Sequence, residues 1–239
     1  MLNERVLYID GEAIVIDKPA GMPVDPTRDG ALSLENHLDS LKFGFRRWPK
    51  AVHRLDRDTS GCLLLARNPK AHKRFGAAFE AGQVTKSYYA VLDGVPDADE
   101  GLVDMPLAKV SSRQAGWRIV GDAKGRPSRS RWTKIATMSG RALVRFEPET
   151  GRTHQLRVHA ASGIGIPIVG DPVYGRGGGA MLLHAAHISV VRDGKTPIIA
   201  DAPLPAAFAA AGFAPDTGAG AYLSPAALRA HRPTGHGEG

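Results

Sequence analysis

The spacing of apolar and polar residues predicts short strands and loops near the N-terminus. Two apolar runs, at residues 6–9 and 13–16, flank Asp10 and Gly11, a pair that is typical of tight β-hairpin turns. Three prolines and a glycine within residues 18–26 predict a loop directly after this hairpin. The chain is therefore expected to begin with two antiparallel strands and an irregular segment.

A strand followed by a helix is predicted in the next part of the chain, after a short helix at residues 34–41. Residues 61–67 form an apolar run of the length of a buried strand. Asn68 and Pro69 follow it, and these residue types are favoured at the N-cap and at the first position of a helix. This second helix is expected to end near Gly82.

The second half of the chain continues the mixture of strands and helices. Residues 85–92 alternate as a strand does, so Tyr88 and Tyr89 face opposite sides of the sheet. Two more strands are predicted at residues 142–147 and 182–191. A helix between them, at residues 153–162, is expected to be closed by Gly163. Hairpins are prominent and no regular β–α–β alternation is visible. The pattern predicts an α+β fold with a mixed, largely antiparallel central sheet and flanking helices.

Length and composition bound the class of protein. The chain has 239 residues, so it is expected to contain one or two domains. Its one cysteine, Cys62, excludes a disulfide framework and a cysteine-based zinc site, and fits a reducing compartment. No apolar run approaches the roughly 20 residues of a membrane span, and no signal peptide is visible. A cytoplasmic, monomeric protein is the expectation.

The C-terminal segment differs in composition from the rest of the chain. Alanine, glycine and proline make up 20 of the 34 residues from 206 to 239. Such a composition disfavours a packed core, although the start of the segment is compatible with a helix. We therefore expect a folded domain over residues 1–205 and an extension that is weakly ordered beyond about residue 215.

Charge is concentrated in one part of the chain, residues 109–134, called the basic segment below. This segment carries the whole net charge of +7, and the remainder of the chain is neutral. Trp117 and Trp132 lie within it. Cations interleaved with aromatic residues suit a nucleic acid, because phosphates bind the cations and bases stack on the rings. The alternative is a solvated basic hairpin with two half-buried tryptophans.

Motifs for several other chemistries are incomplete. Gly163 and Gly165 lack the third glycine of a dinucleotide-binding loop, and no G-x-S-x-G sequence of a serine hydrolase occurs. His184 and His187 lie three residues apart on a predicted strand, where they face opposite sides. A nucleotide cofactor or a bound metal is not expected.

Three polar segments are candidates for catalysis. Asp56 lies within residues 52–61, directly before an apolar strand; it is either a rigidly held reactive carboxylate or part of a local turn or cap. Arg157 lies on the helix predicted at 153–162, where it either reaches into a cleft towards a carboxylate or lies on the surface. Tyr88 and Tyr89 form a pair of which one faces inward, to stack on a flat ligand or to fill the core.

Together these segments resemble a known family. Residues 53–61, His-Arg-Leu-Asp-Arg-Asp-Thr-Ser-Gly, are similar to the signature of the RluA family of RNA pseudouridine synthases. Supporting motifs follow the expected order over about residues 5–205. They are Lys18-Pro19-Ala20-Gly21, Lys86-x-Tyr88-x-Ala90, residues 151–159 (Gly-Arg-Thr-His-Gln-Leu-Arg-Val-His), Gly170-Asp171-Pro172-x-Tyr174-Gly175 and Leu182-Leu183-His184-Ala185.

The resemblance implies a fold, a reaction and roles for individual residues. It implies the pseudouridine synthase fold with a catalytic cleft, and isomerisation of uridine in RNA without a cofactor or metal. Asp56 matches the family's catalytic aspartate, Tyr88 the tyrosine that packs on the target base, and Arg157 the arginine that pairs with the aspartate. Arg54 matches the arginine that fills the gap left by the flipped nucleotide.

The implied mechanism leaves alternatives open. The aspartate attacks C6 of the uracil or C1′ of the ribose, or the first step removes a proton from the sugar. Tyr88 is one candidate for the base that later removes the proton from C5, although an unperturbed phenol has a pKa near ~10.

The resemblance also shapes the expected RNA contacts. Many relatives carry a small N-terminal RNA-binding domain, whereas here the family-like region begins almost at Met1. RNA affinity is therefore expected from the catalytic body. The expected contacts are His53, Arg54, Arg113, Arg118, Lys124, Arg126, Arg129 and Arg131. The expected partner is a stem-loop of ribosomal RNA, of tRNA, or of both.

Two other functions compete with this one. One is a non-catalytic RNA-binding factor in ribosome assembly, and the other is an N-glycosidase that releases the base. The intact Asp56, Tyr88 and Arg157 disfavour the first, because binding alone needs no carboxylate near a phosphate chain. The family motifs disfavour the second.

Overall fold

A computed structural model describes residues 1–27, 30–112 and 116–213. In this part of the chain, ten strands form one mixed sheet and two form a separate hairpin. The strands are β1 (Val6–Ile9), β2 (Ala13–Lys18), β3 (Lys50–Ala51), β4 (Ser60–Ala66), β5 (Val84–Leu92), β6 (Glu100–Asp104), β7 (Leu107–Ser112), β8 (Gly116–Gly121), β9 (Arg129–Met138), β10 (Arg141–Pro148), β11 (Leu183–Arg192) and β12 (Lys195–Asp201). The α-helices are α1 (Pro69–Glu80), α2 (Gln155–Val158) and α3 (Ala206–Ala210).

The large sheet follows the order β1-β2-β4-β11-β5-β10-β9-β6, and the pairing of β4 with β11 is parallel while the other pairings are antiparallel. Strand β11 pairs with β4 through His184 and Ala185, and with β12 further along. Gly61 makes the β4 contact possible. It has a φ of 105°, and a Cβ there would lie 2.2 Å from the Ala185 carbonyl oxygen. The expected α+β fold with a largely antiparallel sheet is confirmed.

Local signals in the first part of the chain are confirmed. The Asp10 carboxylate accepts hydrogen bonds from the backbone N–H groups of Glu12 and Ala13, at 2.8 Å each, and so closes the hairpin of β1 and β2. Asn68 caps α1 by accepting from the Ala71 N–H at 2.8 Å. The segment at Leu34–Leu41 is a 3-10 helix.

The helix predicted from residue 153 to residue 162 has different bounds and a different form. The α-helical part is confined to α2, and the chain then widens into a π-helix at His159–Ile164. The cap is Gly165, with a φ of 85°, and not Gly163 as predicted. Gly163 instead packs against the Val103 side chain, where a Cβ would approach to 2.5 Å. A prediction based on 3.6 residues per turn does not detect a π-helix, in which the hydrogen bonds run from i to i+5. The predicted end of the helix was therefore misplaced.

The basic segment contributes to three strands. Strands β7 and β8 form a hairpin of their own, called the arm below, and β9 begins after it. The two tryptophans of the segment differ in environment. Trp132 is 7% exposed within the core, so neither of the two interpretations, stacking on bases or half-burial, applies to it, whereas Trp117 on the arm is 49% exposed.

Apolar residues cover both faces of the large sheet. Helix α3 packs through Phe208 on the face of the sheet to which Tyr89 and Val91 point. Phe213, which follows the helix, belongs to the same apolar cluster. The first residues of the C-terminal segment therefore belong to the core. The part expected to be weakly ordered, beyond residue 215, lies outside the described residues. No helix in the described ranges is long and apolar enough to cross a membrane.

Candidate active site

A cleft of about 430 Å³ opens where β5, α2 and the loop between β3 and β4 meet. The loop carries Asp56, whose side chain is 20% exposed, and a turn in which the Thr59 N–H donates to the Asp56 carbonyl at 3.1 Å. The buried strand β4 follows at once, so it anchors the C-terminal side of this loop. Arg157, Tyr88 and His154 line the same cleft.

The Asp56 loop is tied to the loop after β2 by a buried lysine. Lys18 is fully buried, and its ammonium donates to the backbone carbonyls of Pro19, Met22 and Arg57, at 2.8–3.0 Å. Burial lowers the pKa of Lys18 to about 8, although Asp58 and Asp56 oppose this shift. One side chain thus satisfies three carbonyls from two loops and fixes the residue that follows Asp56.

Arg157 connects Asp56 to a second, fully buried carboxylate. Its Nη1 donates to Asp56 Oδ2 at 3.3 Å, while Nε and Nη2 each donate to an oxygen of Asp171 at 2.8 Å. Burial alone would raise the pKa of Asp171, but Arg157 and the N–H groups of Val173 and Tyr174 hold it below its usual value. Arg157 therefore forms its bidentate pair with Asp171, and it donates a single hydrogen bond to Asp56 from its third nitrogen.

Tyr88 forms one wall of the cleft. It extends from β5 on the face that Ala90 and Leu92 share, whereas Tyr89 lies in the core on the opposite face. Burial raises the pKa of Tyr88 well above that of a free phenol, and the proximity of Cys62 and Asp56 acts in the same direction. The hydroxyl therefore stays protonated at neutral pH, and burial disfavours the phenolate that a C5 base would need.

His154 completes the polar lining of the cleft. Its Nε2 lies 3.9 Å from Asp56 Oδ2, and its Nδ1 lies 2.9 Å from the Tyr174 hydroxyl. The Tyr174 oxygen also accepts from the Ile119 N–H of β8, at 3.0 Å. The arm, α2 and the loop after Asp171 therefore converge at this histidine.

The residues expected to contact RNA fall into different environments. Arg54 lies at the mouth of the cleft, 69% exposed, and forms an ion pair with Asp25 at 3.2 Å. His53 also lines the cleft, but its Nε2 accepts from the Leu64 N–H at 3.0 Å and its ring stacks on Phe79 at 4.6 Å. Both ring contacts hold the loop in place.

The cations of the basic segment divide in the same way. Arg118, Lys124 and Arg126 are exposed and form no ion pair with any described residue. Arg129 and Arg131 instead pair with Glu149, at 3.5 and 3.0 Å. The expected contact at Arg113 lies outside the described residues.

Sequence reasoning did not assign roles to four polar residues of the site, which are Lys18, His154, Asp171 and Tyr174. Each lies within a motif that carries the family resemblance. A sequence motif does not show which side chains are buried together, so their contacts became visible only in the structure. Asp171 lies 14 residues beyond Arg157, in the loop that follows the π-helix, whereas Arg157 lies on α2.

Comparisons with known proteins show the family of this chain. Residues 12–162 match a family model described as RNA pseudouridylate synthase. An uncharacterised RNA pseudouridine synthase of Zymomonas mobilis is 60% identical over 89% of this chain and 99% of its own length. The ribosomal large subunit pseudouridine synthase D of the same organism is 35% identical, over 78% of this chain and 64% of that protein.

Solved structures show the same fold. Human RNA pseudouridylate synthase domain containing 4 superimposes with a TM-score of 0.73 at 24% identity, covering 87% of this chain and 91% of that one. Human RNA pseudouridylate synthase domain containing 1 gives a TM-score of 0.67 at 26% identity, covering 83% and 82%. The chain thus belongs to the RluA family of RNA pseudouridine synthases, isomerases that convert uridine in RNA to pseudouridine.

Proposed function

We propose that Asp56 is the catalytic carboxylate and that it acts on a uridine of ribosomal RNA flipped into the cleft. The observation that supports this most directly is the asymmetry of its carboxylate. Arg157 Nη1 binds Oδ2, whereas no donor among the described residues binds Oδ1. One oxygen is thereby fixed by the protein, and the other is left for the substrate.

The reaction conserves the atoms of the RNA. The C1′–N1 bond breaks, the uracil turns, a C1′–C5 bond forms, the C5 proton leaves and N1 gains a proton. Attack at C1′ and attack at C6 both need an ionised Asp56. A guanidinium at 3.3 Å stabilises that charge, and the protein around the cleft screens the pair less than water does.

Tyr88 is proposed to hold the base rather than to remove a proton. Its ring gives the flipped uracil a flat apolar surface, and its raised pKa keeps the hydroxyl as a hydrogen-bond donor. Leu183 lines the cleft beside it and extends the apolar wall. This arrangement suits a planar base that must turn between breaking one bond and forming the next.

The exposed cations of the basic segment are proposed to bind the RNA backbone. Arg118, Lys124 and Arg126 are the strongest candidates, because none of them is paired with a described carboxylate. Flipping a base costs a few kcal/mol, and Arg54 partly offsets this cost by occupying the vacated place. Its present partner is Asp25, in an exposed ion pair that is weak enough for RNA to displace.

Ribosomal RNA is proposed as the substrate because one relative is named a ribosomal large subunit pseudouridine synthase. We further propose that the protein acts as a monomer in the cytoplasm. The test uses unmodified transcripts of large-subunit RNA and of a set of tRNAs, labelled with tritium at C5 of uridine. Release from the ribosomal transcript, at a site also modified in cells, supports the proposal. Release from tRNA alone contradicts it.

A further inference from the structure

His154 has an unusual backbone conformation at the edge of the active site. Its φ of 53° lies in the left-handed region, which few residues other than glycine adopt without cost. Two rings hold its side chain. The centroid of the Trp117 ring lies 5.1 Å away, and the Tyr174 ring meets it edge-on at 5.6 Å. The position of the imidazole is therefore determined by the arm and by the loop after Asp171.

The hydrogen bonds of Tyr174 indicate which nitrogen of His154 carries the proton. The Tyr174 oxygen accepts from the Ile119 N–H at 3.0 Å, and among the described residues the acceptor within reach of its hydroxyl hydrogen is His154 Nδ1, at 2.9 Å; we therefore assign that hydrogen to the bond with Nδ1. Nδ1 then accepts, and Nε2 carries the hydrogen of the neutral ring. This N–H group lies on the side of Asp56, with Oδ2 3.9 Å away.

We propose that His154 is a positioning residue for Asp56 and that the arm sets its position. The inference rests on the proposed role of Asp56. His154 Nε2–H and Arg157 Nη1 both approach Asp56 Oδ2, so together they turn Oδ1 to the substrate. Hydrogen bonds in a free enzyme are often long and shorten in the substrate complex. RNA that stacks on Trp117 presses the imidazole towards Asp56.

The groups that face the imidazole keep it in its neutral form. Burial lowers the pKa of His154, and Arg157 and Arg54 act in the same direction, while Asp56 and Asp171 oppose the shift. Trp117 is half-exposed, and the Lys109 ammonium lies 5.0 Å from the centroid of its ring, so a base that stacks on the exposed part of the ring also finds a cation for its phosphate. The ligand of the Trp117 ring in this proposal is the base of a nucleotide next to the target uridine.

The test compares His154→Gly with His154→Gln. Glycine tolerates the backbone conformation and removes the ring, whereas glutamine keeps an N–H donor of similar reach. We expect His154→Gly to lower single-turnover tritium release at saturating RNA by roughly 10–100-fold, with the Kd for RNA within threefold. His154→Gln should recover at least part of the rate and keep the wild-type pH profile from pH 6 to 8.

Two results overturn the proposal. A wild-type rate in His154→Gly shows that the imidazole has no role. A rate for His154→Gln as low as that for His154→Gly shows that an N–H donor at this position is not what orients Asp56. The proposed role of Asp56 is tested separately, because wild type and Asp56→Asn are measured in the same assay.

A second comparison tests the role of the arm, and its measurement in the wild-type background does not depend on the folding of a His154 variant. Trp117→Ala should lower the rate at saturating RNA by about tenfold in the wild-type background, and should have no further effect in His154→Gly. The matched control is Trp48→Ala. That tryptophan is 60% exposed and also has a lysine over its ring, but its indole N–H donates to Asp39 and its ring does not contact His154. Equal effects of the two tryptophan variants contradict the coupling.

Discussion

Asp171 binds the Arg157 guanidinium through both of its carboxylate oxygens, at 2.8 Å each. The pair is almost fully removed from solvent, so its geometry is firmly fixed. Only Nη1 of the guanidinium is left, and this nitrogen reaches Asp56. The loop that carries Asp171 therefore fixes the guanidinium of Arg157, and the guanidinium in turn positions the proposed catalytic carboxylate.

Arg157→Lys should lower the rate of isomerisation more than 100-fold. A lysine ammonium is a point charge without the planar fork of arginine, so it cannot bind both oxygens of Asp171 and also hold Asp56. Affinity for RNA should stay within a few-fold, because Arg157 is buried at the base of the cleft. Single-turnover tritium release and filter binding measure the two quantities. A rate within tenfold of wild type would show that charge alone is sufficient.

Lys18→Met should loosen the Asp56 loop. The substitution keeps an unbranched side chain but leaves the carbonyls of Pro19, Met22 and Arg57 without their donor. Unsatisfied buried carbonyls cost about 1–3 kcal/mol in the free energy of unfolding. We expect that loss in urea unfolding, faster hydrogen exchange in residues 56–59, and a lower rate at unchanged RNA affinity. Unaltered exchange in this loop contradicts the account.

His184 should make the protein less stable as the pH falls. Burial lowers its pKa to about 4, and its ring contacts Ser60 and the Ala202 carbonyl. Below its unfolded pKa of about 6.5, only the unfolded chain binds this proton, so stability is lost progressively as the pH falls from about 6.5 to about 4. The contribution is about 3 kcal/mol at the lower end.

The variant His184→Asn isolates this contribution of His184. Other buried histidines, such as His53, cause a similar loss in both proteins, so the difference between them is the relevant quantity. Urea unfolding at pH 7.5 and pH 5 should show a smaller decrease in the variant. An identical decrease would mean that His184 takes up its proton in the folded state.

Neutralising Arg118, Lys124 and Arg126 to glutamine should weaken RNA binding and make it less sensitive to salt. Each phosphate contact to a single strand contributes about 0.7 to the slope of log K against log salt, so the slope should fall by about 2. The control replaces Lys50, Lys70 and Lys73, which are also exposed but lie on β3 and α1, outside the basic segment. A change of slope in the control alone would place the RNA on another surface.

Sequence alone predicts the parts of this protein that depend on local chemistry. The cap at Asn68, the turn at Asp10 and the alternation in β5 all follow from neighbouring residues, and each is present. The short edge strands β3 and β6 and the hairpin partner β12 were not predicted, because tertiary pairing decides them more than periodicity does.

The same difference holds for the candidate site: the sequence predicted its residues, but not all of the contacts between them. Asp56, Tyr88 and Arg157 were singled out by their motifs, and the structure brings all three to one cleft. The partner of Arg157 was expected to be Asp56 alone. Asp171 takes the bidentate contact, because only the folded chain brings its loop against α2. The pair of Arg157 and Asp171 is buried, and the sequence does not show which residues are buried together.

The most direct test of the central claim is tritium release from C5-labelled RNA by wild type and by Asp56→Asn, with RNA affinity measured in parallel. Isomerisation must release this label, since C5 becomes the glycosidic carbon. We predict release by wild type, no detectable release by Asp56→Asn, and affinities within a few-fold of each other. Release by Asp56→Asn at a rate near that of wild type would contradict the assignment of Asp56.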